Sequence, residues 1–280
     1  MSEPRTLAPP ARRVATVSGV ERLGAYELIT ALDRFGPTDP RPGQFYMLAT
    51  ASHWGGVGED RPYLPRAFSY ARAVVESDGL DLSFLLEDVG PGTERLSDVS
   101  PDEGLALVGP LGVGFRPPAA GTRPILVGGG IGAAPLLCWQ EELCAPDGAS
   151  APPAILLGFR SAAHAQAAAL FGPGAQVVTD DGSVGRQALV TELLASELDG
   201  DAGATVYACG PPQMLEAVRA LCAERDVPAQ LAMESGMACG FGACFGCVVP
   251  TRNGYVRLCV DGPVIEAGVL ETALVAGAGH

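Results

Sequence analysis

The chain has 280 residues, 48% of them hydrophobic, which is enough to bury cores in two or three modules and too apolar for a disordered or fibrous chain. Its net charge is −14, with 18 scattered basic residues against 32 acids, so no basic face is available for a phosphate backbone and nucleic acid is excluded as the main partner. Residues 1–13 are polar and Pro-rich without a signal peptide's apolar core, and the longest apolar run, 124–139, is broken by glycine and too short for a membrane span. The expected location is therefore the cytoplasm, where the eight cysteines stay reduced and close spacing among them points to metal binding.

Residues 12–118 carry short strand-like runs at 44–50, 67–75, 80–86 and 105–108, broken by Gly and Pro. With few long helical patterns, the expected fold of this part is a small antiparallel β-barrel. A linker follows at 117–121. Between 122 and 230, strands at 124–127, 154–158, 175–179 and 205–209 alternate with helices near 134–143, 189–198 and 214–225. That alternation predicts a parallel α/β sheet covered on both faces. Residues 231–280 are Gly-rich, hold four cysteines and read as a third, small module.

The four are Cys239, Cys244, Cys247 and Cys259, and their C-x4-C-x2-C…C spacing matches the plant-type [2Fe–2S] ligand pattern. Two irons need four converging thiolates. Gly240, Gly242 and Gly246 are expected to let the loop adopt unusual dihedrals and aim backbone N–H groups at sulfur. A structural zinc site is the competing reading; such sites usually pair two C-x2-C knuckles, and here there is one. Cys138, Cys144 and Cys222 are expected to be small core hydrophobes.

A Gly-rich turn, with Gly128, Gly130 and Gly132, follows a buried strand and opens a helix. Such a turn can seat a pyrophosphate or serve only as a tight βα connection. The acid that a Rossmann fingerprint places after the next strand is missing; that strand ends in Arg160-Ser161. Arg160 can meet a 2′-phosphate or be a solvated loop charge, so NAD and NADP both remain open. In the barrel half, Arg66 and Ser69 precede a second feature, Gly92-Thr93. Read plainly they are a charged strand and an ordinary turn with Thr93 as a helix N-cap; together they are a fork-shaped cation and a helix start able to hold phosphate.

These motifs occur in the order seen in the ferredoxin–NADP reductase superfamily. Arg66-x-x-Ser69 resembles its flavin strand, Gly92-Thr93-x-x-Leu96 its flavin phosphate turn, the turn 128–135 its nicotinamide turn, and Cys209-Gly210-Pro211 its Cys-Gly-Pro motif. With the cysteine module at the C-terminal end, the chain resembles the electron-transfer subunits of class B dihydroorotate dehydrogenases across about 12–270. The resemblance implies an FAD domain at 12–118, an NAD(P) domain at 122–230 and a [2Fe–2S] module at 231–280. It implies that Arg66, Phe68, Ser69, Gly92 and Thr93 bind FAD, and that Gly128, Gly130, Gly132, Gly210 and Pro211 line the dinucleotide site. Cys209 becomes the candidate catalytic residue beside the nicotinamide. Phe68 stands where the superfamily often has Tyr, and Ala67 where these subunits often have Pro, which leaves the flavin's stacking partner unassigned. The implied partner is an FMN-containing catalytic subunit, dihydroorotate dehydrogenase, in a hetero-oligomer of pyrimidine biosynthesis. A reductase subunit of an NADPH:ferredoxin or sulfide dehydrogenase complex, or a zinc-stapled nucleotide-binding regulator, are the alternatives.

Overall fold

The computed structural model describes residues 11–52, 54–55, 62–145, 152–200 and 203–275. Most of the Pro-rich start read from the sequence, residues 1–10, and the last five residues of the third module, 276–280, lie outside them. Six strands form the first body: β1 (Arg13–Leu23), β2 (Tyr26–Asp33), β3 (Phe45–Thr50), β4 (Arg66–Glu76), β5 (Gly79–Glu87) and β6 (Gly104–Leu111). They close into an antiparallel barrel in the order β1-β2-β5-β4-β3-β6, and one short helix, α1 (Pro91–Ser97), connects β5 to β6. Alternate residues of each strand point inward, so Ile29, Ala31, Tyr46, Leu48, Tyr70, Leu82, Phe84 and Leu86 share one core. β3 is buried along its whole length because its other face, Phe45 and Met47, packs outside the barrel with residues of the α/β body and the cysteine segment.

The second body contains β7 (Arg123–Gly129), α2 (Ala134–Leu143), β8 (Ala154–Phe159), α3 (Ala162–Ala165), β9 (Gln176–Thr179), β10 (Arg186–Gln187), α4 (Val190–Gly200), β11 (Ala204–Cys209), α5 (Pro212–Glu224) and β12 (Ala229–Ala232). Its strands run parallel in the order β10-β9-β8-β7-β11-β12. Strands buried on both faces read as continuous apolar runs, and successive side chains serve opposite cores. Val127, Leu156 and Val206 face one core with Leu194 of α4 and Leu215 of α5. Leu126, Leu157 and Tyr207 face the other, with Leu136 and Trp139 of α2. α2 also packs against the barrel: Cys138 Sγ donates to the Tyr70 carbonyl at 3.5 Å, and Arg72 Nε lies 2.6 Å from Glu141 Oε1.

The C-terminal segment forms a hairpin of β13 (Val248–Thr251) and β14 (Gly254–Arg257), then α6 (Leu258–Asp261) and β15 (Val264–Glu266). β15 pairs antiparallel with β12 and becomes the edge of a seven-stranded sheet. The cysteine segment is thus tied into the α/β body at its far end. Three residues of strand are too short to stand out in a hydrophobicity pattern. Among the described residues no helix is long and apolar enough to cross a membrane.

Candidate functional site

From β7 the chain moves outward through β8 and β9, whereas β11 enters on the opposite side of β7 and leads on to β12. The order therefore reverses between β7 and β11, and the crevice beyond their carboxyl ends is where open α/β sheets bind ligands. Both turns read from the sequence lie there. Gly128 and Cys209 are register partners across the two strands. Gly130 and Gly132 lie in the 3-10 turn that follows β7, and Gly210 and Pro211 connect β11 to α5. The turns meet backbone to backbone: a Cβ on Gly132 would fall 2.6 Å from the Cys209 carbonyl oxygen and 2.6 Å from Gly210 Cα. Only glycine allows that approach. Cys209 is half-buried, and burial, with a smaller contribution from the Glu234 charge, pushes its thiol up to about 12. It is a neutral thiol at physiological pH, suited to contact and poorly suited to nucleophilic attack.

On the barrel, Arg66 opens β4 and its guanidinium rests on α1. A Cβ built on Gly92 would lie 2.5 Å from Arg66 Nε and 2.6 Å from Cζ. Arg66 Nη1 donates to the Leu64 carbonyl at 2.6 Å, and Cζ sits 5.9 Å from the centre of the Trp54 ring. The Trp54 indole N–H is buried without a hydrogen-bond partner among the described residues. Trp54 was not singled out from sequence, since nothing local marks a tryptophan as neighbour to a cation on another strand. Thr93 is not the N-cap; Gly90 is, and Thr93 is the third helical residue. Its Oγ1 accepts the Val89 and Gly90 N–H groups at 2.9 and 3.0 Å and donates to the Gly90 carbonyl at 2.9 Å. The hydroxyl thus shapes the turn, leaving the N–H groups of the first turn, which have no intrahelical acceptor, to face a ligand. Ser69 is half-buried opposite Phe45, whereas half-buried Phe68 lies opposite Tyr46 and packs on the barrel core. An arginine fork, a helix start and an orphaned indole donor in one place fit a phosphate-bearing cofactor such as FAD.

The two regions are linked across the body interface. His164 on α3 contacts Glu87 Oε1 at 3.2 Å, one residue before the loop that leads to α1, and Ser161 Oγ at 2.9 Å. Beyond β8, the Asp180 N–H donates to the Phe159 carbonyl at 2.9 Å, tying the 180–183 loop to the end of that strand. Ser183 Oγ accepts the Ala162 N–H at 2.7 Å and donates to Asp181 Oδ1 at 2.6 Å. These Ser183 hydrogen bonds hold the Asp181 carboxyl below its ordinary value, so a fixed anion stands beside the end of the second strand.

The cysteine loop packs on the barrel: a Cβ on Gly240 would fall 2.5 Å from Met47 Cγ, on the strand paired with β4. Gly240 and Gly242 occupy the left-handed region at φ +78° and +90°. The third such residue is Phe245 at φ +59°, not Gly246 as expected; Gly246 instead donates its N–H to Cys244 Sγ at 3.4 Å. Cys247 and Cys259 are buried, Cys239 is half-buried and Cys244 is exposed. Burial pushes the Cys239 thiol up, but hydrogen bonds from the Cys244, Phe241 and Ala243 backbone and from the Cys244 side chain outweigh it and bring the group to about 6. Burial, then the hydrogen bond and charge of Cys247, push Cys259 up to about 12. Cys259 interacts with Cys247 and, more weakly, with Cys239, and Cys239 with Cys244. Among the described residues no three Cys, His, Asp or Glu side chains stand close enough together to hold a single metal ion. Four thiols at plant-type spacing, with backbone N–H donors to the sulfurs of Cys244 and Cys247, fit a two-iron cluster better than a zinc site built on two C-x2-C knuckles. Of the remaining cysteines, Cys138 and Cys222 are buried as expected, whereas Cys144 is exposed at the end of α2, where the helix leaves the core.

Comparison with known proteins adds the following. Residues 234–271 match the family model for the iron-sulfur cluster binding domain of dihydroorotate dehydrogenase B. The chain is 37% identical over 233 residues to the dihydroorotate dehydrogenase B (NAD(+)) electron transfer subunit of Desulforamulus reducens, covering 81% of this chain and 85% of that one. It is 37% identical over 238 residues to the same subunit of Listeria welshimeri, covering 82% and 87%. Among solved structures, the NADH-dependent reduced ferredoxin-NADP oxidoreductase aligns with TM-score 0.76 at 22% identity over 92% of this chain and 90% of that one. The ferredoxin reductase of carbazole 1,9a-dioxygenase aligns with TM-score 0.63 at 20% identity over 80% and 68%.

Proposed function

This chain belongs to the family of dihydroorotate dehydrogenase B electron-transfer subunits, and from that premise we propose that it carries electrons between a catalytic dihydroorotate dehydrogenase subunit and NAD⁺. It is an oxidoreductase subunit working with FAD, a [2Fe–2S] cluster and NAD. When bound, FAD would supply chemistry that accepts a two-electron hydride and passes single electrons, which is what linking a nicotinamide to an iron–sulfur cluster requires.

The residues divide that work. Arg66 and the turn before α1 hold the FAD phosphates, and the Thr93 hydroxyl keeps the turn in shape. Ser69 lies at the isoalloxazine edge, and Phe68 contributes packing from the barrel side. Gly128, Gly130, Gly132, Gly210 and Pro211 form the dinucleotide crevice, with Cys209 at its mouth as a neutral, polarisable contact for the nicotinamide. Cys239, Cys244, Cys247 and Cys259 hold the cluster. The 12–118, 122–230 and 231–280 segments thus serve FAD, NAD and the cluster in turn. One observation carries the reading: the cysteine loop rests on β3 through Gly240 and Met47, and β3 pairs with β4, which bears Arg66 and Ser69. A single strand, β3, therefore lies between the cysteine loop and the strand that bears Arg66 and Ser69.

Family membership implies a catalytic partner subunit. That it carries FMN, that the two form a hetero-oligomer and that both work in the cytoplasm belong to our reading. Exposed Cys244, flanked by exposed Phe241 and Phe245, supports docking of the partner at the cluster. No acid–base pair suited to deprotonating dihydroorotate is assigned to this chain, so that chemistry falls to the partner. Mixing the purified chain with a candidate catalytic subunit should give dihydroorotate-driven reduction of NAD⁺ that neither protein shows alone. NAD⁺ reduction by the catalytic subunit without this chain would overturn the reading.

A further inference from the structure

We propose that Arg257 is a positioning residue of the cysteine site, clamping the loop that holds Cys239, Cys244 and Cys247 to the segment that holds Cys259 and raising the reduction potential of the group they bind. The inference rests on the iron–sulfur reading above. Arg257 ends β14, two residues before Cys259, and its side chain turns back into the loop. Its Nη1 donates to the Gly242 carbonyl at 3.1 Å. The fit is close, since a Cβ on Gly242 would lie 3.2 Å from that nitrogen. Its guanidinium carbon lies 5.3 Å from the centre of the Phe245 ring, the residue between Cys244 and Gly246 held at φ +59°. One side chain therefore grips the loop at two places, from a position two residues before Cys259.

The same placement has an electrostatic consequence. Arginine is charged at every working pH. Its nearest carboxylate contact, Asp261 Oδ2, is 3.9 Å from Nε and accepts the Arg257 backbone N–H at 3.0 Å, so it offsets the cation only in part. A one-electron reduction adds a negative charge beside the four thiolates. A fixed cation nearby favours the reduced state, and net charge and hydrogen bonding are the levers that set such potentials. Phe245 and the cation also hold each other, which a lysine would do less well because it lacks the planar fork.

Iron and sulfide analysis of the FAD-loaded full chain comes first; a wild-type chain lacking both overturns the cluster reading and this inference with it. Given a cluster, EPR-monitored redox titration of wild type, Arg257→Gln, Arg257→Lys and Asp261→Asn decides the rest. Arg257→Gln should lower the midpoint so that the reduced-to-oxidised ratio at fixed potential falls at least about threefold, which is about 28 mV for one electron. Arg257→Lys should recover most of that shift while releasing iron faster to a chelator. Asp261→Asn should move the midpoint upward. If Arg257→Gln fails to assemble iron, the Asp261→Asn shift decides alone. Midpoints within error of wild type in the variants that keep iron would overturn the proposal.

Discussion

Gly132 lies against the backbone of Cys209, with room for no more than a hydrogen: a Cβ on it would fall 2.6 Å from both the carbonyl carbon and the carbonyl oxygen. The two residues belong to turns after β7 and β11, and their contact closes the floor of the dinucleotide crevice. Gly132→Ala must push one turn away from the other, a distortion of the kind that costs about 1–3 kcal/mol. The expected result is a lower melting temperature and weaker NADH binding with flavin content retained, measured by thermal scan and by NADH titration of flavin bleaching.

The contact involves the Cys209 backbone, and the side chain is proposed to meet the nicotinamide. Cys209→Ala should slow flavin reduction by NADH about ten- to a hundredfold, a loss of ~1.4–2.7 kcal/mol in transition-state stabilisation. Because the thiol is pushed up to about 12, the wild-type rate should show no thiol titration across about pH 6 to 10. Rapid mixing at several pH values tests both. A mutant that bleaches at the wild-type rate returns Cys209 to the packing cysteines.

Arg66 meets Gly92 across 26 residues of sequence, 92 − 66, and on our proposal the two form the phosphate end of the flavin site. A charge-assisted, bidentate contact contributes ~1.5–3 kcal/mol, so Arg66→Ala should weaken FAD binding about tenfold or more. Flavin dissociation constants of the two proteins provide the comparison. Equal values would make Arg66 a bystander.

Cys244 is exposed, whereas Cys239 is half-buried and Cys247 and Cys259 are buried. Cys244→Ser should strip iron while sparing most FAD. Wild type should carry about two irons and two sulfides per chain, as plant-type clusters do. One zinc and no sulfide on metal analysis would reverse the assignment.

The loop bearing Asp181 and Ser183 is tied to the end of β8 beside Arg160, and Ser183 accepts the Ala162 N–H at 2.7 Å, so an anion already occupies the neighbourhood a 2′-phosphate would need. The chain should therefore bind NAD⁺ more tightly than NADP⁺. Ser183→Ala frees that donor and loosens Asp181, and should narrow the preference about two- to tenfold, the value of one hydrogen bond of ~0.5–1.5 kcal/mol. Calorimetric titration with both nucleotides measures the ratio; tighter NADP⁺ binding by wild type would show that Arg160 dominates.

The elements legible in sequence were those whose signal is local. The cysteine spacing, the glycine turn after β7 and the Cys-Gly-Pro motif each lie within one turn or strand end, where a few consecutive residues dictate geometry. The apolar runs of β7, β8 and β11 were equally plain, because strands buried on both faces carry few polar residues. β1 and β2 were missed: β1 interleaves charged residues along a half-exposed strand and is bulged between Val17 and Gly19. Expecting Gly246 rather than Phe245 to take the left-handed conformation applied the general preference of glycine to a position where tertiary contacts hold a larger residue. Only the tertiary structure decided that Arg66 rests on Gly92, that Gly132 rests on Cys209, that Trp54 and Arg257 join their sites, and that β15 completes the sheet of the α/β body. Each of these depends on strand order and on how the barrel packs against the sheet. Contacts between residues far apart in the chain form only when the whole fold closes, and no window of consecutive residues contains that information.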